Sequence, residues 1–180
     1  YPGAVHLSLP VDIMFSSFAE DSGREERPFD RTAHLPAKAW PEPARLSMVL
    51  DRLAAAKRPV LIGGHGVWWS GAESYLEEAG RKLGIPVFNI PYHQKLLGEE
   101  CEAYMGLADI HQYHPSKDAF AEADLVLMVG ARLDNQMNFG NPPLFPQSVD
   151  LVCINGSHEE IDFNRSADFA LLSDPGAFLQ

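Results

Sequence analysis

The run Leu125-Val126-Leu127-Met128-Val129-Gly130-Ala131-Arg132-Leu133-Asp134 decides how this chain is read. Its first five residues are all apolar, so no polar face is left for solvent and the segment reads as a strand buried on both sides. Gly130 ends it, and a loop rich in Asn, Gly and Pro follows from Ala131 to Gln147. Strands covered on both faces belong to parallel sheets with helical crossovers. The same signature recurs on either side of this run. Upstream, Pro59-Val60-Leu61-Ile62 enters Gly63-Gly64-His65-Gly66, and Ile85-Pro86-Val87-Phe88 follows Gly84. Downstream, Leu151-Val152-Cys153-Ile154 and the shorter Ala170-Leu171-Leu172 repeat it.

Helical periodicity fills the gaps. Leu46, Val49, Leu50 and Leu53 fall at i, i+3, i+4 and i+7 after Pro43, which predicts a helix with that stripe inward and a stop at Arg58-Pro59. Ser70-x-x-Glu73 has capping-box spacing and predicts a helix with Leu76, Ala79 and Leu83 inward and Gly84 as its stop. Pro91 to His114 reads mostly as loop, Pro115 to Ala123 as a short helix, Glu159 to Asn164 as a helical turn, and Pro175 as a helix start. The fold class is therefore α/β: a Rossmann-like, doubly wound parallel sheet of five or six strands over residues 43–180.

The first 42 residues differ. Val5, Leu7 and Leu9 alternate with His6 and Ser8, the pattern of a half-buried strand closed by Pro10. Residues 13–42 carry mixed charge and three prolines (Pro28, Pro36, Pro41), with Pro43 just beyond, and little periodicity, and read as a linker over a surface. The abrupt start suggests a piece of a longer chain. The 180 residues carry a net charge of −11, which argues against nucleic acid or an anionic membrane as partner. No apolar run reaches the roughly 18 residues of a membrane span. The two cysteines, Cys101 and Cys153, form no CxxC pair and read as reduced thiols of a cytoplasmic protein.

Ligands of such sheets lie beyond the carboxyl ends of the strands. Those ends are Gly63-Gly64-His65-Gly66, Asn89 onward, Gly130-Ala131-Arg132, Asn155-Gly156 and Ser173-Asp174. Gly63-Gly64-His65-Gly66 either cradles a pyrophosphate on bare amides or is a plain tight turn; Trp68 breaks the GxGxxG spacing. Arg132 fits a phosphate and Asp134 a ribose hydroxyl, or the two form a surface ion pair. His111-x-x-His114 has metal-ligand spacing, but Pro115 interrupts the helix it needs, so solvated loop histidines are the better reading. His65 and His93 stand alone in loops. Trp68-Trp69 reads as a packing surface for a neighbouring domain or subunit rather than a ligand-stacking pair.

Together these segments resemble a known family. Gly3-Ala4-Val5-His6-Leu7-Ser8-Leu9-Pro10-Val11-Asp12 is similar to the segment that closes the pyrimidine-binding domain of thiamine-diphosphate enzymes of the acetolactate synthase and benzaldehyde lyase type. Arg58 to Gly64, Leu83 to Val87 and Ala123 to Asp134 resemble landmarks of their central, DHS-like nucleotide-binding domain. The resemblance implies a domain remnant at 1–12, a linker at 13–42 and the central domain at 43–180. It implies a parent lyase or transferase that uses thiamine diphosphate and Mg²⁺, both held by other domains of the chain, since no GDG occurs here. It implies a homodimer or tetramer, and a central domain inactive alone.

In acetolactate synthases this domain holds FAD, and in oxalyl-CoA decarboxylase-like members ADP. By resemblance, Gly63, Gly64, Met105, Gly106, Gly130, Ala131, Arg132, Asp134, Asn155 and Asp174 fall on cofactor-binding positions, with no catalytic and no metal-binding residue. Gln136 stands where the family has a second arginine, Ala108 at a histidine position, and Asn155 at an acidic one. Two other readings stay open: a stand-alone nucleotide-binding module of sirtuin-like fold, whose zinc-binding CxxC pairs are missing, and an interaction domain with an empty crevice.

Overall fold

The computed structural model describes residues 4–17, 37–91, 96–111 and 115–180. The chain divides into two units, Tyr1–Ala37 and Lys38–Gln180. In the first, residues 4–10 are exposed and form no strand, contrary to their alternation, and Val11–Met14 makes one helical turn, α1. Val5, Leu7 and Leu9 carry the apolar stripe of a sheet strand but have no ladder partner among the described residues, and a strand without a ladder is not stable in water. Most of the expected linker, residues 18–36, lies outside the described residues, as do His93 and His114.

The described residues of the second unit form six strands: β1 (Pro59–Gly63), β2 (Val87–Asn89), β3 (Tyr104–Leu107), β4 (Leu125–Val129), β5 (Asp150–Asn155) and β6 (Phe169–Leu172). Every pair is parallel, and their order is β3-β2-β1-β4-β5-β6. Connections run outward in opposite directions from the β1/β4 pair, which makes that pair the switch point of a doubly wound sheet. The strand at Tyr104–Leu107 falls inside the stretch read as loop. Gly106, at φ 111°, interrupts its register against β2 and hides the strand from a period-two reading.

Side chains of each strand alternate between two cores. Leu61, Val87, Leu127, Val129, Val152 and Ile154 face one layer with Val49 and Leu76. Val60, Ile62, Phe88, Val126, Met128 and Leu151 face the other. The first layer is covered by α2 (Pro43–Ala55), α4 (Glu73–Leu83) and α6 (Pro175–Leu179). The second is covered by α5 (Pro115–Glu122) and by the long loop after β4, which contributes Leu133, Met137, Leu144 and Phe145. Phe120 bridges them, 4.5 Å from the Phe88 ring and 5.1 Å from that of Phe145. Thus a loop replaces a helix on half of one face.

Three expectations about the helices need correction. On α2 only Val49 is fully buried; Leu46 and Leu53 are half-buried and Leu50 is exposed. The helix is held instead by Arg45, which donates to the Ala170 carbonyl, and Arg52, 2.6 Å from the Asp150 carboxylate, with both guanidinium groups over the Phe169 ring. Ser70 does not cap α4, whose N-cap is Ala72. A five-residue helix, α3 (His65–Trp69), already follows β1, so Ser70 lies at its C-terminal end. Finally, Leu83 is exposed in the last turn of α4, and Gly84 ends that helix in the left-handed conformation at φ 64°, as its position suggested.

Candidate functional site at the switch point

The loops after β1 and β4 meet backbone to backbone. The Gly64 N–H donates to the Val129 carbonyl at 3.0 Å and the Gly66 N–H to the Gly130 carbonyl at 2.9 Å. The Val67 N–H turns back to the Gly64 carbonyl, and the Gly130 N–H donates to Ile154 at 2.8 Å. Glycine is required at this crossing for space. A Cβ on Gly64 would sit 2.5 Å from the Ala131 Cα, besides striking the Gly130 oxygen; one on Gly66 would sit 2.7 Å from the Gly130 Cα. Gly130 also needs its freedom, at φ 61°. Gly63 packs on Leu76 of α4.

Arg132 leaves this crossing with its side chain 53% exposed. Its partner is Glu160, at 3.5 Å, rather than Asp134, and its guanidinium lies 5.4 Å from the Phe163 ring. Asp134 turns inward: one carboxylate oxygen accepts the Gln136 and Met137 N–H groups at 3.0 and 3.4 Å and shapes the start of the long loop. His65, the first residue of α3, lies in the field of the same groups. Burial lowers its pKa first and the Arg132 charge lowers it further, while Glu160 and Asp134 pull it back. The gap beneath Arg132, lined also by Leu133, Cys153, Glu160 and Phe163, has a volume of about 10 Å³, barely that of one water.

Asn155 is buried, and both ends of its amide are used. Nδ2 donates to the Ala131 carbonyl at 3.3 Å and Oδ1 accepts from the Ser157 N–H at 3.2 Å. Asp174 is the N-cap of α6. It accepts the Ala177 N–H at 2.9 Å on one oxygen and the Ser70 hydroxyl at 2.9 Å on the other, while its own N–H donates to Ala39. Residues 63, 64, 130, 131, 132 and 155 thus come together. Met105 and Gly106 do not join them: they lie within the edge strand β3, with β2 between them and β1. Met105 borders a separate open groove of about 410 Å³ with Gly80, Gly84, Ile85 and Pro86, where α4 ends and β2 begins.

Two features of this region had no signal in the sequence. Glu160 reaches Arg132 across 28 residues, which spacing alone does not reveal. Arg165 directs its guanidinium to the carbonyls of Gly140 at 2.6 Å, Pro146, Gln147 and Val149, and so pins the far end of the long loop. Among the described residues, no three His, Cys, Asp or Glu side chains converge as a metal would need. Both cysteines are free and buried, and burial pushes the Cys153 thiol up to about 12. No helix of the described residues is long and apolar enough to cross a membrane.

A six-stranded parallel sheet with its switch point at β1/β4 defines a Rossmann-like α/β domain. The chain belongs to the family of thiamine pyrophosphate enzyme central domains, whose model matches residues 46–180. It is 27% identical over 181 aligned residues to the acetolactate synthase large subunit of Lactococcus lactis, covering 99% of this chain and 30% of that protein. It is 29% identical over 166 residues to 2-hydroxyacyl-CoA lyase 1 of Dictyostelium discoideum, covering 92% of this chain and 26% of that one. Among solved structures, a Mycobacterium smegmatis protein described as a thiamin diphosphate-dependent enzyme superposes with a TM-score of 0.67 at 26% identity, over 81% of this chain and 28% of that one. The chain therefore spans under a third of the length of the relatives it matches.

Proposed function

We propose that this chain is the non-catalytic central domain of a thiamine-diphosphate-dependent lyase or carboligase of the acetolactate synthase and 2-hydroxyacyl-CoA lyase kind. The observation that carries the reading is the family match over 46–180 in a chain that spans under a third of its relatives. In this reading residues 1–12 close a preceding pyrimidine-binding domain, 13–42 link the two, and thiamine diphosphate with Mg²⁺ sits on domains outside this chain. The parent assembles as a dimer or tetramer in the cytoplasm, and the central domain holds its neighbours at a fixed spacing.

The interior of the domain supports a scaffold role. Polar side chains beyond three of the strands, Asp134, Asn155 and Asp174, are bonded within the domain rather than aimed into a cavity. The test is the full-length protein with thiamine diphosphate, Mg²⁺ and a panel of 2-keto acids and 2-hydroxyacyl-CoA thioesters. Cofactor-dependent cleavage or carboligation by the full-length protein is expected, together with no heat of binding when the cofactor and Mg²⁺ are titrated into this 180-residue chain. Micromolar binding to the chain alone would overturn the assignment.

A further inference from the structure

The resemblance of the fold to flavin- and ADP-holding central domains places a nucleotide at the β1/β4 switch point, and the hydrogen bonds there speak against it. We infer that this crevice is closed by its own backbone, and that the domain is a nucleotide-free member of its family. The inference deepens the reading of the chain as a central domain and rests on it.

Three observations converge. A pyrophosphate at a strand-to-helix turn is held by bare N–H donors of the glycine loop. Here the Gly66 donor closes on the Gly130 carbonyl of the facing loop and Val67 turns back to Gly64, while the Gly64 and Gly130 donors extend the β1–β4 and β4–β5 ladders to Val129 and Ile154. The space is filled as well. Where a single methyl carbon on Gly64 would fall 2.5 Å from the Ala131 Cα, no phosphate oxygen can enter between the loops. The groups suited to a ribose are committed too. Asn155 is 3% exposed with both amide ends bonded, and each Asp174 carboxylate oxygen accepts a hydrogen bond from within the domain.

Two described arginines border the gap beside these strand ends: Arg165 directs its guanidinium to four backbone carbonyls, and Arg132 is met by Glu160 at 3.5 Å. The gap on the β5 side of Arg132, bordered also by Glu160, Asp162 and the bonded Arg165, has a volume of about 10 Å³ and carries no surplus of positive charge for two phosphates. The glycines of this loop are then explained by the approach of loop to loop, which needs the same absence of side chains as the approach of loop to ligand.

The experiment uses the full-length protein. Its peptides covering residues 61–69 and 128–136 are followed by hydrogen–deuterium exchange with and without saturating FAD, ADP or NAD, and retention of each nucleotide is measured in parallel by equilibrium dialysis. Slow exchange at Gly64, Gly66 and Gly130 without ligand, unchanged by any of the three, is the expected result. A nucleotide retained with both peptides unchanged would leave the crevice closed but would overturn the nucleotide-free reading if its protection maps to any other peptide of residues 38–180. Fast exchange at these amides in the free protein would overturn the inference. So would retention of a nucleotide with altered exchange in either peptide, and loss of that retention in Arg132→Ala would locate it at the crevice. The assay for thiamine-dependent turnover is independent of both readouts, so failure of the family-level reading and failure of the closed crevice are told apart.

Discussion

Gly64→Ala tests the crossing of the two loops directly. Gly64 sits at φ −125°, ψ −169°, extended backbone that alanine adopts freely, so no conformational strain enters. Alanine even restricts the unfolded chain, a gain of about 0.4–1 kcal/mol. Against that, the new Cβ lies 2.5 Å from the Ala131 Cα and 2.7 Å from its Cβ, with the Gly130 oxygen nearer still. The obstacles are chiefly backbone, which cannot rotate away, and overpacking of this kind costs about 1–3 kcal/mol. Parting the loops also strains the Gly64–Val129 and Gly66–Gly130 hydrogen bonds, each worth about 0.5–1.5 kcal/mol net. Midpoint values leave a loss of about 3 kcal/mol, equivalent to a fall in Tm of roughly 6–12 °C for a chain of this size. Gly71→Ala is the control: no atom lies within 4 Å of its Cβ, and only the left-handed φ of 62° opposes it, at about 1–2 kcal/mol. Urea unfolding followed by tryptophan fluorescence compares the two. A Gly64→Ala protein no less stable than Gly71→Ala would show that the loops part easily, and the closed-crevice argument would fail with it.

Leu127→Ala removes a buried side chain from a strand packed on both faces and should cost about 2–5 kcal/mol by the same unfolding assay. Asp124 accepts the Lys57 and Arg58 N–H groups at 2.7 and 2.9 Å; burial opposes its ionisation, but these backbone bonds outweigh burial and hold its carboxyl below the ordinary value. Its contribution is therefore present above the usual aspartate pKa and lost as pH falls through the lowered one, so Asp124→Asn should flatten the acid limb of a stability–pH curve below about pH 4. His65 has a lowered pKa, so the unfolded state takes up the proton first and stability should fall as pH drops below about 6.5, a slope that His65→Gln should reduce. Cys153, pushed up to about 12, should resist iodoacetamide at pH 8 until the chain is unfolded, as read by mass spectrometry.

The middle of the sheet was legible because β4 and β5 obey one rule. Leu125 to Val129 and Leu151 to Ile154 are apolar at every position, which only a sheet covered on both faces requires, and the structure buries them all. β3 was not legible, because a parallel edge strand of four residues with a bulge at Gly106 shows neither a continuous apolar run nor an alternation. Periodicity also overstated the helix faces. Leu50 sits on the predicted stripe of α2 but is exposed, since polar anchors such as Arg52–Asp150 set how α2 lies on the sheet as much as its apolar residues do, and Leu83 is exposed at the last position of α4. The Ser70-x-x-Glu73 spacing misled for a related reason: α3 occupies the turn before it, and tertiary contact with Asp174 claims the serine hydroxyl.

At the switch point the limit of sequence reading has a physical origin. Glycine marks places where something must approach the backbone closely, and it does not say what approaches. Gly64, Gly66 and Gly130 fit a phosphate cradle and a loop-to-loop crossing equally well as letters; the distances show the close approach of the two loops. Arg132 carries the same ambiguity. A guanidinium past a strand end suggests an anion, and whether the anion is a ligand or a carboxylate of the chain depends on Glu160, 28 residues away. With 25 acidic against 14 basic residues, an internal carboxylate is the commoner partner for any arginine here. A nucleotide would have to displace Glu160 against a net charge of −11, which repels it at long range, before gaining its first hydrogen bond. A domain built this way gains from closing the crevice on itself, because each N–H bonded to a neighbouring loop resists opening without waiting for a ligand to supply the bond.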